Sequence, residues 1–429
     1  TFATAGLFFA PLLLLPFFTN FTITSKLLLL NVLGITFLGI GLAGTLSKRM
    51  LTLHRSPLIT AAFVFAIAVA ASSLINNRYP AEHLLGMGGA LISMAIIIIV
   101  GASWLRTKTT QRFSIVWYLT LIVTGIIALL QALGWGPSQV FNAILPLNLP
   151  HTGLLSMTGS LFFATQVGLM GFISSIVGII KEQKIKALAF FAAIFSAVTL
   201  VMSGWYILPG QATSPLVLPF GSSWTIAIEM LKVPRTALIG VGPENYQIAY
   251  QLSRPLAINT TSWWETIFSQ GFNVPLTLLT TTGLLGFMSW IALAYFAIKT
   301  SREQWMTNPV IATVVISTFV IQLVTPLNYV VLLIQAVSVA WMLANSQPRQ
   351  QLLVHLFKVL EEVVHHPNQS MQPFWKIGSS IIVGLILIFL YGNLGLAYFA
   401  SHLFFRSSLQ AQGNDLNAAY QSQVYAAQI

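Results

Sequence analysis

Leu84-Leu85-Gly86-Met87-Gly88-Gly89-Ala90-Leu91-Ile92-Ser93-Met94-Ala95-Ile96-Ile97-Ile98-Ile99-Val100-Gly101-Ala102-Ser103-Trp104-Leu105 runs without a single charge. Coiled as a helix it rises about 33 Å, enough to cross a hydrocarbon core of about 30 Å. No water is present at that depth, so the segment must satisfy its own backbone, and a helix does so. Comparable runs recur along the chain, near Ala3–Phe18, Lys26–Leu46, Pro57–Leu74, Phe113–Leu133, Met157–Ile180, Ile185–Leu208, Gly283–Lys299, Pro309–Pro326, Tyr329–Asn345 and Ile377–Phe399. The first of these reads as a spanning helix rather than a cleaved signal. The pattern predicts an all-α polytopic membrane protein with about eleven transmembrane helices.

Composition agrees. Apolar residues make up 56%, charged residues 7%, and the mean hydropathy is +0.81, outside the range of soluble domains. Cysteine is absent, which removes disulfides, thiolate metal sites and a cysteine nucleophile. The net charge of +11 resembles a nucleic-acid signal until its placement is considered. Lys48, Arg49 and Arg55, then Arg106, Lys108 and Arg112, then Lys181, Lys184 and Lys186, then Lys299 and Arg302, then Arg349, Lys358 and Lys376 fall in alternate loops. The opposite loops hold only Lys26, Arg78, Lys232, Arg235, Arg254 and Arg406. Cytoplasmic loops collect Lys and Arg, so the charge is a topology signal. It predicts a cytoplasmic N-terminus, and no nucleic-acid partner.

The chain divides into a membrane domain, residues 1–400, and an outward tail, residues 401–429. On the cytoplasmic side Gln347–Gln372 contains an amphipathic run (Leu352, Leu353, Leu356, Val359, Leu360) expected to lie along the interface. Asp415–Ile429 reads as the start of a helical-repeat array with nothing to pack against. Glu361, Glu362, His365 and His366 include a Glu-x-x-His spacing, but one half-motif on a solvated face is no metal site, so no metal and no cofactor is expected.

The outer loop, residues 208–271, is where polar chemistry is available. It carries Glu229, Lys232, Arg235, Glu244, Arg254 and Glu265. Ser222–Leu231 reads as an amphipathic helix and Tyr246–Leu252 as a second. Between them Gly240 and Gly242 allow a tight turn or a close backbone approach, and Pro243 suits the first turn of the helix that follows. Arg254, Arg235 and Lys232, with Arg78 from another outer loop, suit a phosphate, because a guanidinium pairs with phosphate oxygens in bidentate fashion. Trp263 and Trp264 suit sugar stacking or an interfacial belt. The same residues also suit a folded cap whose cations touch lipid headgroups.

Phe272-Asn273, nine residues, then Gly283-Leu284-Leu285-Gly286 resembles a signature of the O-antigen ligase and polymerase superfamily. Leu238-Ile239-Gly240-Val241-Gly242-Pro243-Glu244-Asn245-Tyr246 resembles a second element of the same loop. The likeness is specific over roughly residues 224–286 and otherwise rests on helix count. It implies a metal-independent glycosyltransferase that moves a glycan from an undecaprenyl-pyrophosphate carrier to a surface acceptor, lipid or protein. Loop arginines would hold the donor pyrophosphate, stabilising the charge that develops as it leaves. Here Arg254 carries that role, with Glu265 as a base. The tail would be a tetratricopeptide-type unit open to protein partners. The family's histidine is Phe272 here, which neither accepts a proton nor hydrogen-bonds; Glu244, His151 or His83 are the other candidate bases. Two alternatives remain open: an inactive scaffold of the same fold, and a transporter. The transporter reading fits poorly, since ionisable residues within the spans are few.

Overall fold

The structure, a computed structural model, describes residues 2–18, 20–48, 50–54, 56–76, 86–105, 111–144, 156–208, 210–211, 215–261, 263–345, 351–355, 372–413 and 415–428. In chain order the elements are α1 (Phe2–Phe9), α2 (Phe21–Lys48), β1 (Met50–His54), α3 (Pro57–Asn76), α4 (Met87–Trp104), α5 (Gln111–Ala132), α6 (Pro137–Ile144), α7 (Leu161–Lys181) and α8 (Lys186–Tyr206). The loop follows with α9 (Phe220–Leu231), α10 (Pro234–Ile239) and α11 (Tyr246–Ser253). Then come α12 (Val274–Thr281), α13 (Gly283–Glu303), α14 (Pro309–Val324), α15 (Tyr329–Ala344), β2 (Gln351–His355), α16 (Gln372–Gln412) and α17 (Leu416–Gln428).

The chain is a helical, multi-pass membrane protein. Among the described residues seven helical segments are long and apolar enough to cross a bilayer, and α4, α14 and α15 are further, shorter apolar helices. The centre is α15, buried at every residue from Val330 to Ala344 and packed on α4 and α14. The rim is set by α8 and α16, where Phe190, Val201, Ile388 and Phe389 are exposed. Such a face is stable against lipid rather than water. Close helix approach uses small residues. Gly168 meets the backbone of Leu200, and Gly125 meets Phe195. Buried amides pair with one another: Gln322 donates to Gln335 at 2.7 Å and Asn328 to Gln166 at 2.8 Å. Lys26, the one fully buried cation among the described residues, donates to the Leu13 carbonyl.

Three expectations change. The predicted first span, Ala3–Phe18, is helical only over Phe2–Phe9, followed by turns. Pro11 and Pro16 explain this, because proline removes a helical donor and clashes with the preceding turn. The amphipathic run expected to lie along the interface in Gln347–Gln372 begins as a strand. Residues 351–355 pair antiparallel with β1, Met50 opposite His355, so the backbone groups facing β1 are satisfied across a ladder. The rest of that run, with Glu361, Glu362, His365 and His366, lies outside the described residues. Finally, the tail does have a partner. α16 continues past the apolar stretch, the chain turns at Gly413, and α17 folds back on it, burying Ala419 and Ala426. Asp415 caps α17 by accepting from Ala418 N, and Ser422 donates to Gln410.

Candidate functional site

The loop folds as a cap with its own small core of Leu218, Ile226, Tyr246, Ala249, Tyr250, Ile258 and Phe268. Ile226 lies on the inward face of α9, while Trp224 faces out at 48% exposed. Tyr246 is fully buried, with its hydroxyl 3.4 Å from Ser223 Oγ. Burial of the phenol pushes its pKa up to about 12, since the anion would be desolvated.

The two glycine-bearing segments meet. Asn273 opens α12 as its N-cap, its Oδ1 accepting from Leu276 N at 3.0 Å, and its Nδ2 donates to Leu323 O at 2.7 Å. α12 ends after two turns at Gly283, which takes a φ of +65° and starts α13. Such a break leaves carbonyls without helical donors, and the other segment supplies them. Val241 N donates to Thr280 O at 3.2 Å, Gly242 N to Thr281 O at 2.8 Å, and Ser72 Oγ to Thr281 O at 2.9 Å. Approach is so close that glycine is required on both sides. A Cβ on Gly240 (φ +69°) would lie 2.2 Å from the Thr281 carbonyl, and one on Gly283 would lie 2.5 Å from that of Leu238. Gly286 leaves room for the Thr282 side chain.

The turn is also tied to the membrane helices. Asn245 Nδ2 donates to Val241 O at 2.8 Å and Asn76 O at 3.5 Å. Glu244 Oε1 accepts from Gly88 N at 2.8 Å, placing a carboxylate at the positive end of α4. Pro243 does not open the next helix as expected. It lies within the turn, and Asn245 is the residue before α11.

Beside this junction is a cavity of about 320 Å³. Pro243, Glu244 and Gln247 come from the turn and α11, Ser269 and Gln270 from the end of the loop, Asn20 and Ile23 from the start of α2, and Tyr329 from the start of α15. Met87, Phe163 and Leu327 complete the described lining. Gln270 Oε1 accepts from Leu327 N at 3.1 Å, so the loop's end is stitched to the α14–α15 corner.

Lys232, Arg235 and Arg254 are not among the described residues of that lining. Lys232 pairs with Glu229 at 2.6 Å on the surface. Arg235 donates to Ile75 O and Asn76 Oδ1, both at 3.3 Å. Arg254 lies over the Tyr250 ring, 5.7 Å from its centroid, and donates to Trp264 O; its Nε is buried without a hydrogen-bond partner. Glu265 is exposed, Trp264 is 56% exposed and Trp263 half-buried. Arg78, His83 and His151 lie outside the described residues. Phe272 packs edge-on to Phe220 at 5.7 Å and against a cluster with Ala227, Leu276 and Leu279. Asn20, Gln247, Ser269 and Tyr329 are not among the residues that the sequence assigns to the site. The usable signal was position: a polar residue at the same end of an apolar helix as the long loop.

No protein-family model matches the chain, and no curated protein sequence matches it.

Proposed function

We propose that the chain is a metal-independent glycosyltransferase of the O-antigen ligase and polymerase type. In this reading the ten apolar helices of the described residues cross a bacterial plasma membrane, with the long loop and the tail outside. It takes a glycan from an undecaprenyl-pyrophosphate carrier and passes it to a surface acceptor. The observation that supports this most is the junction itself. The two segments carrying the family likeness share backbone hydrogen bonds from Val241 and Gly242 to Thr280 and Thr281, with Gly240 and Gly283 permitting the close approach, beside a polar cavity. Irregular backbone near the bilayer is tolerated where protein satisfies it, and such breaks favour ligand sites.

Arg254 is the first residue assigned to the donor pyrophosphate, with Arg235, Lys232 and Arg78 as further contacts and Glu265 as a base. Its stacking on Tyr250 restricts the guanidinium, and a buried Nε–H remains to be satisfied. A second reading, an inactive scaffold of the same fold, is favoured by Phe272, whose side chain is spent on apolar packing. The test is transfer by purified protein supplied with an undecaprenyl-pyrophosphate oligosaccharide and candidate acceptors. Product from the wild type, lost in a folded Arg254→Ala variant, supports the enzyme. Donor binding without product from any acceptor supports the scaffold.

A further inference from the structure

We propose that the cavity beside the glycine turn is a saccharide subsite, in which Glu244 and Gln247 contact the sugar hydroxyls. This rests on the glycan-transfer reading and assigns the part of the substrate that the cavity takes. At about 320 Å³ it lies at the lower end of ordinary small-molecule sites. Its described lining combines the Glu244 carboxylate and the amides of Asn20, Gln247 and Gln270 with the rings of Tyr329 and Phe163. A sugar ring offers hydroxyls around its edge and C–H groups on its faces. Carboxylates and amides accept from or donate to the hydroxyls, and aromatic rings cover the faces. A lipid chain would leave the Gln247 amide unpaired, which is costly.

The turn's construction gives Glu244 and Gln247 a common direction. Glu244 lies in the turn just before α11 and Gln247 in the first turn of α11, and both line the cavity, while Tyr246 between them is buried in the loop's core. Docking of the turn on α12 therefore also sets these two side chains on the cavity. Glu244 is fixed by Gly88 N. Gln247 is exposed and pairs with no described side chain, so its position at the cavity is not explained by support of the fold. Lys26, close by on α2, turns its ammonium to the Leu13 carbonyl and is not among the lining residues. The sugar contact thus moves from Trp263 and Trp264, which do not line the cavity, to the turn.

The test is saturation-transfer NMR on the full chain in a detergent without a sugar headgroup, such as a dimethylamine oxide. The probes are N-acetylglucosamine, its 6-phosphate, and glycerol. Saturation of N-acetylglucosamine by the wild type is expected, with glycerol silent and affinity reduced roughly ten-fold by Gln247→Ala and by Glu244→Gln. Gln247→Ala adds a good helix former at an exposed position, so loss of folding does not obscure the result. No saturation of the sugar, or equal binding by both variants, overturns the proposal. So does tighter binding of the 6-phosphate, which would make the cavity an anion seat. If Gln247-dependent sugar binding persists while transfer is absent, the transferase reading fails and the subsite stands. If transfer proceeds unaltered in Gln247→Ala and no sugar binds, the reverse holds.

Discussion

Tyr246 has its hydroxyl enclosed by the loop core, and its pKa is raised to about 12 against an unfolded value of about 10. A phenol held protonated in the fold contributes stability that is present below pH 10. That contribution is lost as pH rises from about 10 to about 12, because the unfolded state releases its proton first. Two pKa units correspond to roughly 2–3 kcal/mol. Tyr246→Phe should therefore flatten the alkaline limb of an unfolding-versus-pH curve, with the wild type losing stability more steeply; parallel curves would disprove the assignment. Phe272 makes the opposite point, since its environment is apolar. Phe272→His places a polar ring among Ala227, Leu276 and Leu279, and should cost about 1–3 kcal/mol in chemical unfolding rather than restore a base. The sequence marked Phe272 as a departure from a motif, but could not show that packing now occupies the position.

Asn273 ties two elements at once, and its effects belong at the element scale. It caps α12 and holds Leu323 O at the end of α14, while Gln270 holds Leu327 N at the start of α15. Loss of an N-cap costs about 0.5–2 kcal/mol, and a buried carbonyl left unpaired adds about 1–3. Asn273→Ala should therefore reduce stability by roughly 2–4 kcal/mol and speed amide exchange in both α12 and the α14–α15 corner. Exchange confined to α12 would mean that the corner is held by other contacts. Two of the loop's short helices, α9 and α11, were legible from apolar spacing, whereas α10 was not. What was not legible was that α12 is separate from α13: Val274–Thr281 and Gly283–Glu303 read as loop end followed by span. The break depends on Gly283 adopting positive φ opposite Gly240, a pairing with no local sequence signal. The same limit hid the β1–β2 ribbon, whose strands lie some three hundred residues apart.

The bundle as a whole was the most readable feature, because length and apolarity are enough to demand helices in a bilayer. Ten of the apolar stretches are helical over most of their length, and the eleventh, which carries Pro11 and Pro16, is helical only over Phe2–Phe9. Charge placement adds the proposed orientation, which is tested simply because the chain lacks cysteine. Single cysteines at Lys232, in the loop, and Lys184, between α7 and α8, should differ in intact cells. Lys232→Cys should react with a membrane-impermeant maleimide and Lys184→Cys only after permeabilisation; the reverse pattern would invert the topology. Residues that act across the molecule, such as Asn20 and Tyr329 at the cavity, are marked only by their position at the loop-side ends of apolar helices. The central claim is that the glycine turn and the α12–α13 break form one unit. Its most direct test is a double-mutant cycle of Gly240→Ala and Gly283→Ala, read as unfolding free energy in mixed micelles. Each substitution alone should cost about 1–3 kcal/mol. Once either has forced the backbones apart the second costs little, giving a coupling of at least roughly 1 kcal/mol, whereas strict additivity would contradict the account.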